Sequence, residues 1–232
     1  MITDNRFDNP EDLARQLARG VARRLQQCID ERGHASLAVS GGQTPVLFFQ
    51  QLAQQSLAWN KVTLTQVDER WVDAQHSDSN ARLIQQHLLQ GPASDAFFLP
   101  LYNGANDPED GFMACENRLH ELVDQLDLAV LGMGADGHTA SWFPGSPALP
   151  SLLDEQGGAW CCPVMDQKPA RMSLTWSLLA RCQHLYLHFE GDDKNHTFEQ
   201  ACEPGQQQDI EAMPVRALLY QSQVPLSLYR SS

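Results

Sequence analysis

The sequence predicts an α/β fold: a mostly parallel, twisted sheet flanked by helices on both faces. Three observations predict it. Short apolar runs bounded by turn residues alternate with longer stretches of helical periodicity. Several of these runs end in glycine-rich polar clusters, as strands do where a parallel sheet passes its chain to a helix. No internal repeat, low-complexity tract or linker interrupts the 232 residues, 42% of them hydrophobic, and that length can bury one large core. A single domain over residues 1–232 is expected.

The first element expected is a helix. Asn9 stands as N-cap, Pro10 at the first helical position and Glu11 and Asp12 in the first turn, with apolar residues at Leu13, Leu17, Val21, Leu25 and Ile29 before Gly33. A β-run over Ser36–Ser40 then meets Gly41-Gly42, and a helical stretch continues from Thr44-Pro45 to about Ala53. The pattern repeats as a strand over Val62–Val67, a polar loop from Asp68 to Ser77 and a helix from about Asp78 to Leu89. Phe97–Leu101 reads as a further strand, about Glu109–Asp124 as a helix, and Leu128–Leu131 as a compact buried-type strand ending in Gly132-Met-Gly134. Proline and glycine accumulate between about Phe143 and Lys168, which predicts a long loop with short structure at most, of the kind that shapes a site. Beyond it, Met172–Thr175, His184–Phe189 and Arg216–Tyr220 read as strands and Lys194–Cys202 as a helix.

Composition narrows the function classes. The formal charge is −13 and the lysines are Lys61, Lys168 and Lys194 alone, which opposes the basic footprint of nucleic-acid binding. No apolar run approaches a membrane span, and Met1–Asp12 lacks the layout of a signal peptide, so a cytoplasmic protein without a membrane partner is expected. The six cysteines form no C-x-x-C and no zinc spacing, and reduced structural thiols are the expectation, the vicinal Cys161-Cys162 pair included.

Ligands of open parallel sheets sit beyond the carboxyl ends of strands, and three polar clusters fall there: Ser40–Pro45, Asp68–Arg70 and Gly132–His138. In the first, Gly41 and Gly42 let the backbone approach a ligand while Thr44 and Pro45 open a helix whose free N–H groups favour an anion. A plain strand-to-helix turn is the simpler reading, since the lysine of a P-loop and the glycine spacing of a dinucleotide fold are both missing. The third cluster delivers Asp136 and His138 into a glycine-rich loop. An acid beside an imidazole at a strand end suits catalysis or metal binding, with a hydrogen-bonded loop histidine as the plain alternative, and the nearby sequence offers no third metal ligand. His184 and His188 share one face of their predicted strand with Tyr186, where packing is the expected role.

In chain order, Ser40-Gly-Gly-Gln-Thr-Pro45, Asp68-Glu-Arg-Trp-Val72 with Ser77-Asp-Ser-Asn80, Gly132-Met-Gly-Ala-Asp-Gly-His-Thr-Ala-Ser141, Arg171-Met-Ser-Leu-Thr175 and Gly191-Asp-Asp-Lys194 resemble motifs of the 6-phosphogluconolactonase family, within the wider group that includes glucosamine-6-phosphate deaminase. The resemblance runs from about residue 37 to 194, and Gly-x-Asp-Gly-His-Thr-Ala-Ser is its most specific part. It implies a Rossmann-like domain that opens 6-phospho-D-glucono-1,5-lactone to 6-phospho-D-gluconate, the second step of the oxidative pentose phosphate pathway, with no cofactor and no metal. The implied partner is the small sugar-phosphate lactone, and the implied state a monomer or weak homo-oligomer. Carried onto these positions, the resemblance makes Ser40, Gly41, Gly42 and Thr44, with Arg70, Arg171 and Lys194, the holders of the phosphate. His138 becomes the general base, Asp136 the residue that orients it or contacts the sugar, and Asp68 an active-site support.

Two positions depart from the pattern: Gln43, where a small polar residue is expected, and Trp142, where an aliphatic one is more usual, both expected to alter pocket edges. An aldose-ketose isomerase or deaminase would share the phosphate cradle. The deaminase pattern resembles Asp-Gly-His followed by a glutamate five places after the histidine, where this chain has Phe143. A non-enzymatic sugar-phosphate sensor would normally carry a helix-turn-helix segment, and about 35 residues, mainly one helix, are expected ahead of the first strand.

Overall fold

The computed structural model describes residues 2–122 and 126–232. In chain order the elements are β1 (Ile2–Phe7), α1 (Pro10–Arg32), β2 (Ala35–Val39), α2 (Val46–Ala53), β3 (Val62–Gln66), β4 (Asp68–Arg70), α3 (Asn80–His87), β5 (Phe97–Leu99), α4 (Pro108–Leu122), β6 (Leu128–Gly132), α5 (Leu149–Leu152), β7 (Cys161–Val164), β8 (Arg171–Leu174), α6 (Trp176–Leu179), β9 (His184–Glu190), α7 (Asp192–Ala201), α8 (Arg216–Leu219) and β10 (Leu226–Ser231). Seven strands make one parallel sheet in the order β1-β10-β9-β6-β2-β3-β5, and β4, β8 and β7 make a small antiparallel sheet. The expected α/β architecture is therefore present.

Local chemistry explains the first helix. The Asn9 side chain accepts from Asp12 N at 2.8 Å, and Gly33, at φ 86°, donates its N–H to Ile29 O at 2.8 Å, closing the helix where its apolar row stops. That row, Leu13, Leu17, Val21, Leu25 and Ile29, packs with Phe48, Phe49, Leu37 and Leu64 on one face of the sheet. Full burial of a leucine contributes about 1.5–3 kcal/mol, so this face anchors α1 and α2 against β2 and β3. The opposite face carries a second core around Leu131, Trp142, Leu174, Phe189 and Leu218. β2 is buried at every position, as a central parallel strand covered on both faces must be.

The carboxyl ends of β2 and β6 lie side by side, Val39 opposite Val130. Ser40 N donates to Val130 O at 2.9 Å and Gly132 N donates to Ser40 Oγ at 3.1 Å. At the other end the buried Asp127 carboxylate pairs with Arg32 and accepts from Ser36 N at 2.8 Å. These contacts fix the two strands whose ends carry the glycine-rich turns.

Several expectations need correction. Arg216–Tyr220 was expected as a strand, but Arg216–Leu219 is helical. The Arg216 guanidinium is buried and donates to the carbonyls of Ala201, Asp209 and Gln200, while Leu218 and Leu219 turn inward. Asp68–Arg70 begins the expected polar loop but is strand β4, paired with β8. A strand also precedes α1: β1 pairs with β10 at the sheet edge, and its Thr3, Asp4, Asn5 and Arg6 carry no apolar alternation for a sequence reading to detect. β7 escaped because Pro163 sits inside it, and Pro163 is tolerated there because β7 is an edge of the small sheet. The expected helix end at Asp124 falls outside the described residues.

Candidate active site

The turn after β2 is shaped by what lies beneath it. Gly42 has φ 90°, and a Cβ on Gly41 would sit 1.8 Å from Asn80 Oδ1, so the first position needs the left-handed region and the second needs a bare backbone. The turn leads into α2, whose N-terminus has no side-chain cap. Free N–H groups at such an end attract anions. Thr44 Oγ1 accepts from Lys194 Nζ at 3.0 Å, which draws α7 to the same place. Burial pulls the Lys194 ammonium below its ordinary pKa while the Glu190 carboxylate opposes that fall, so the cation is held where an additional anion would favour its charge.

The small sheet brings the arginines. Arg70 and Arg171 are partners across the β4–β8 pairing. Arg70 Nη1 donates to Asp78 O at 2.7 Å, and Arg171 Nη1 lies 3.4 Å from Asp68 Oδ2 with its guanidinium 5.1 Å from the Phe143 ring. Each arginine keeps a buried Nε without an acceptor among the described residues. Such planar forks are incompletely satisfied by the protein and suit two oxygens of a phosphate. Asp68 is buried and also accepts from Ser141 Oγ at 2.6 Å, so it joins the arginine strand to the loop after β6.

That loop presents the histidine. Thr139 Oγ1 donates to Gly132 O at 2.8 Å, Gly134 N donates to His138 O at 2.9 Å, and Gly137, at φ 79°, turns the chain beneath the imidazole. His138 Nδ1 stands 2.5 Å from Asp136 Oδ1. The hydrogen bond from His138 holds the Asp136 carboxyl below the ordinary carboxylate range despite partial burial. An ionised carboxylate only accepts, so the contact places a proton on Nδ1, and in the neutral ring Nε2 then carries the lone pair. Phe143 packs against the imidazole with ring centres 4.5 Å apart and the planes tilted by 36°.

The turn, the arginine strands and the histidine loop meet at one cavity of about 210 Å³, with Ser40–Pro45, Asp68, Arg70, Gly132–Gly134, His138, Ala140, Arg171, His188 and Lys194 on its wall. Of the site residues that the resemblance implies, Asp136 is the one not on that wall, and it touches His138. Gln43 borders the cavity, whereas Trp142 does not: its ring is fully buried and its Nε1 donates to Leu174 O at 3.0 Å, so the expectation that it edges the pocket is corrected. The two strand histidines diverge. His184 bonds to Ser227 inside the sheet packing, while His188, bonded to Glu190 at 2.8 Å, contributes to the cavity wall. Sequence reasoning gave Ser141 and Asn80 no role although both stand in the quoted motifs, and their partners Asp68 and Gly41 are distant in sequence. Among the described residues no group of three or more His, Cys, Asp or Glu is arranged to hold a metal, and no helix is long and apolar enough to cross a membrane. Burial raises the Cys161 and Cys162 thiols, the latter to about 11, as expected for unreactive reduced thiols.

Residues 8–226 match the family described as glucosamine-6-phosphate isomerases/6-phosphogluconolactonase. The chain is 42% identical over 225 residues to a 6-phosphogluconolactonase of Rhizobium meliloti (strain 1021), covering 96% of each, and 41% identical over 220 residues to one of Pseudomonas aeruginosa, covering 94% of this chain and 90% of that one. The crystal structure of a 6-phosphogluconolactonase from Shewanella baltica OS155 superposes with a TM-score of 0.95 at 40% identity, covering 100% of this chain and 98% of the other. A monomeric glucosamine-6-phosphate deaminase shares the fold, with a TM-score of 0.73 at 17% identity over 97% of this chain and 96% of that one.

Proposed function

The chain belongs to the glucosamine-6-phosphate isomerase/6-phosphogluconolactonase family, and on that premise we propose that it is a single-domain hydrolase converting 6-phospho-D-glucono-1,5-lactone to 6-phospho-D-gluconate in the oxidative pentose phosphate pathway, acting in the cytoplasm. The observation that carries this reading is one cavity holding both an oriented imidazole and three separate cations around an anion-binding turn. The Ser40–Thr44 turn, Arg70, Arg171 and Lys194 receive the phosphate, and Asp68 keeps Arg171 in place. His138 Nε2 takes a proton from water as the water oxygen attacks the lactone carbonyl carbon. The tetrahedral adduct then expels the ring oxygen, which receives that proton back from the imidazolium. Asp136 fixes the tautomer and stabilises the transient cation, and a base so placed contributes about 10²–10⁴-fold.

Phe143 favours the lactonase over a deaminase or isomerase. It lies on the His138 ring where the deaminase pattern has a glutamate, and an aromatic ring can neither relay a proton nor pair with an imidazolium. Water attack on an activated ester needs one base only. The test is a direct assay of lactone opening at mildly acidic pH, where the spontaneous reaction is slow, beside an ammonia assay with glucosamine 6-phosphate. Rapid lactone hydrolysis without ammonia is expected. Ammonia release at a comparable rate would overturn the reading.

A further inference from the structure

Asp68 and Arg70 reach the cavity from β4, but Glu69 between them faces the other way, as alternate strand residues do. Its carboxylate is fully buried, and no cation pairs with it among the described residues. Five donors converge on it instead. Oε1 accepts from Arg70 N and Asn80 N, each at 2.8 Å, while Oε2 accepts from Ala81 N at 2.8 Å, Ser79 Oγ at 3.1 Å and the Gln66 side-chain amide. Burial pushes the carboxyl above its ordinary value while the amides of Asn80 and Ala81 pull it back, so the group is costly to bury and is tolerated only because every donor is in place.

The cluster delivers two positions. It pins the Arg70 backbone, and it pins Asn80 at the start of α3. The Asn80 side chain donates to Asp68 O at 2.9 Å and lays its Oδ1 against Gly41, in the space a Cβ would fill. One buried carboxylate thus sets the separation between the anion-binding turn and the arginine opposite it. We propose that Glu69 is a positioning residue for the phosphate site, acting through Arg70 and Asn80 without touching substrate. This rests on the function proposed above only in taking the anion to be the substrate phosphate.

The test measures binding of 6-phosphogluconate and of inorganic phosphate by calorimetry, and kcat for the lactone, in the parent, Glu69→Gln and Asn80→Ala. Glutamine keeps the shape but turns an N–H₂ toward donors. Both variants are expected to bind each anion at least about 10-fold more weakly, with kcat at saturation within about 3-fold and its pH profile unchanged, the split that marks lost ground-state binding. Unchanged affinity in either variant overturns the proposal, as does a parallel fall of kcat, affinity and melting temperature, which would make the cluster a stability element. If Glu69→Gln does not fold, Asn80→Ala decides, and its failure to fold also overturns the proposal. A parent that binds both anions without hydrolysing the lactone overturns the function reading alone; a parent that binds neither overturns both.

Discussion

At the scale of single residues, the proposed mechanism divides the work between His138 and the three cavity cations. His138 lines the cavity with its Nδ1 committed to Asp136, so its removal deletes the proposed base and leaves the proposed phosphate-binding residues in place. His138→Ala is expected to lower kcat by at least about 10²-fold while 6-phosphogluconate binds nearly as before. Near-normal turnover would remove this residue from the mechanism. Arg70, Arg171 and Lys194 converge on the cavity whereas Lys61 is exposed outside it. Alanine at any of the three should weaken 6-phosphogluconate binding in a calorimetric titration, and Lys61→Ala should not. Equal affinities across the four variants would contradict the assignment.

At the scale of elements, the loop after β6 is built so that backbone supports side chain. A Cβ at Gly134 would lie 2.1 Å from His138 Nδ1 and 2.7 Å from Asp136 Oδ1, too close for the imidazole to keep its place. Misplacing a reacting group by an ångström is costly to rate without being costly to fold. Gly134→Ala should therefore retain its circular dichroism spectrum and lose at least about 10-fold in kcat. Full activity would mean that the imidazole position is not critical. The neighbouring Ala140 also lines the cavity at φ 51°, an uncommon conformation outside glycine, where Ser141 on one side and Thr139 on the other are held by Asp68 and Gly132.

At the scale of the whole molecule, β9 joins the site to the sheet edge, since His188 faces the cavity while His184 lies inside the packing of β9, β10 and α1. Burial, assisted by the positive charge of Arg24, lowers the His184 pKa from 6.5 to about 4, and the residue is 4% exposed. The unfolded chain therefore binds a proton that the folded chain refuses between those values, so stability is full above about pH 6.5 and falls as pH drops toward 4. The loss attributable to this group is about 3 kcal/mol at most. Denaturant titrations at pH 7 and pH 4.5 should show the fall, and His184→Gln should reduce it; an identical pH dependence in that variant would assign the fall to other groups. By itself the sequence determined what neighbours dictate: the capped helix α1, the strand ends with their glycine turns, and His138 two residues from Asp136. Only the tertiary structure decided that Lys194 meets Thr44 across 150 residues and Arg171 meets Asp68 across 103, that polar β1 closes the sheet edge, and that Arg216–Leu219 is helical. The physical reason is range. Caps, turns and apolar periods act over a few residues of backbone, whereas the meeting of distant cations around one cavity depends on strand order and register, which no local pattern specifies.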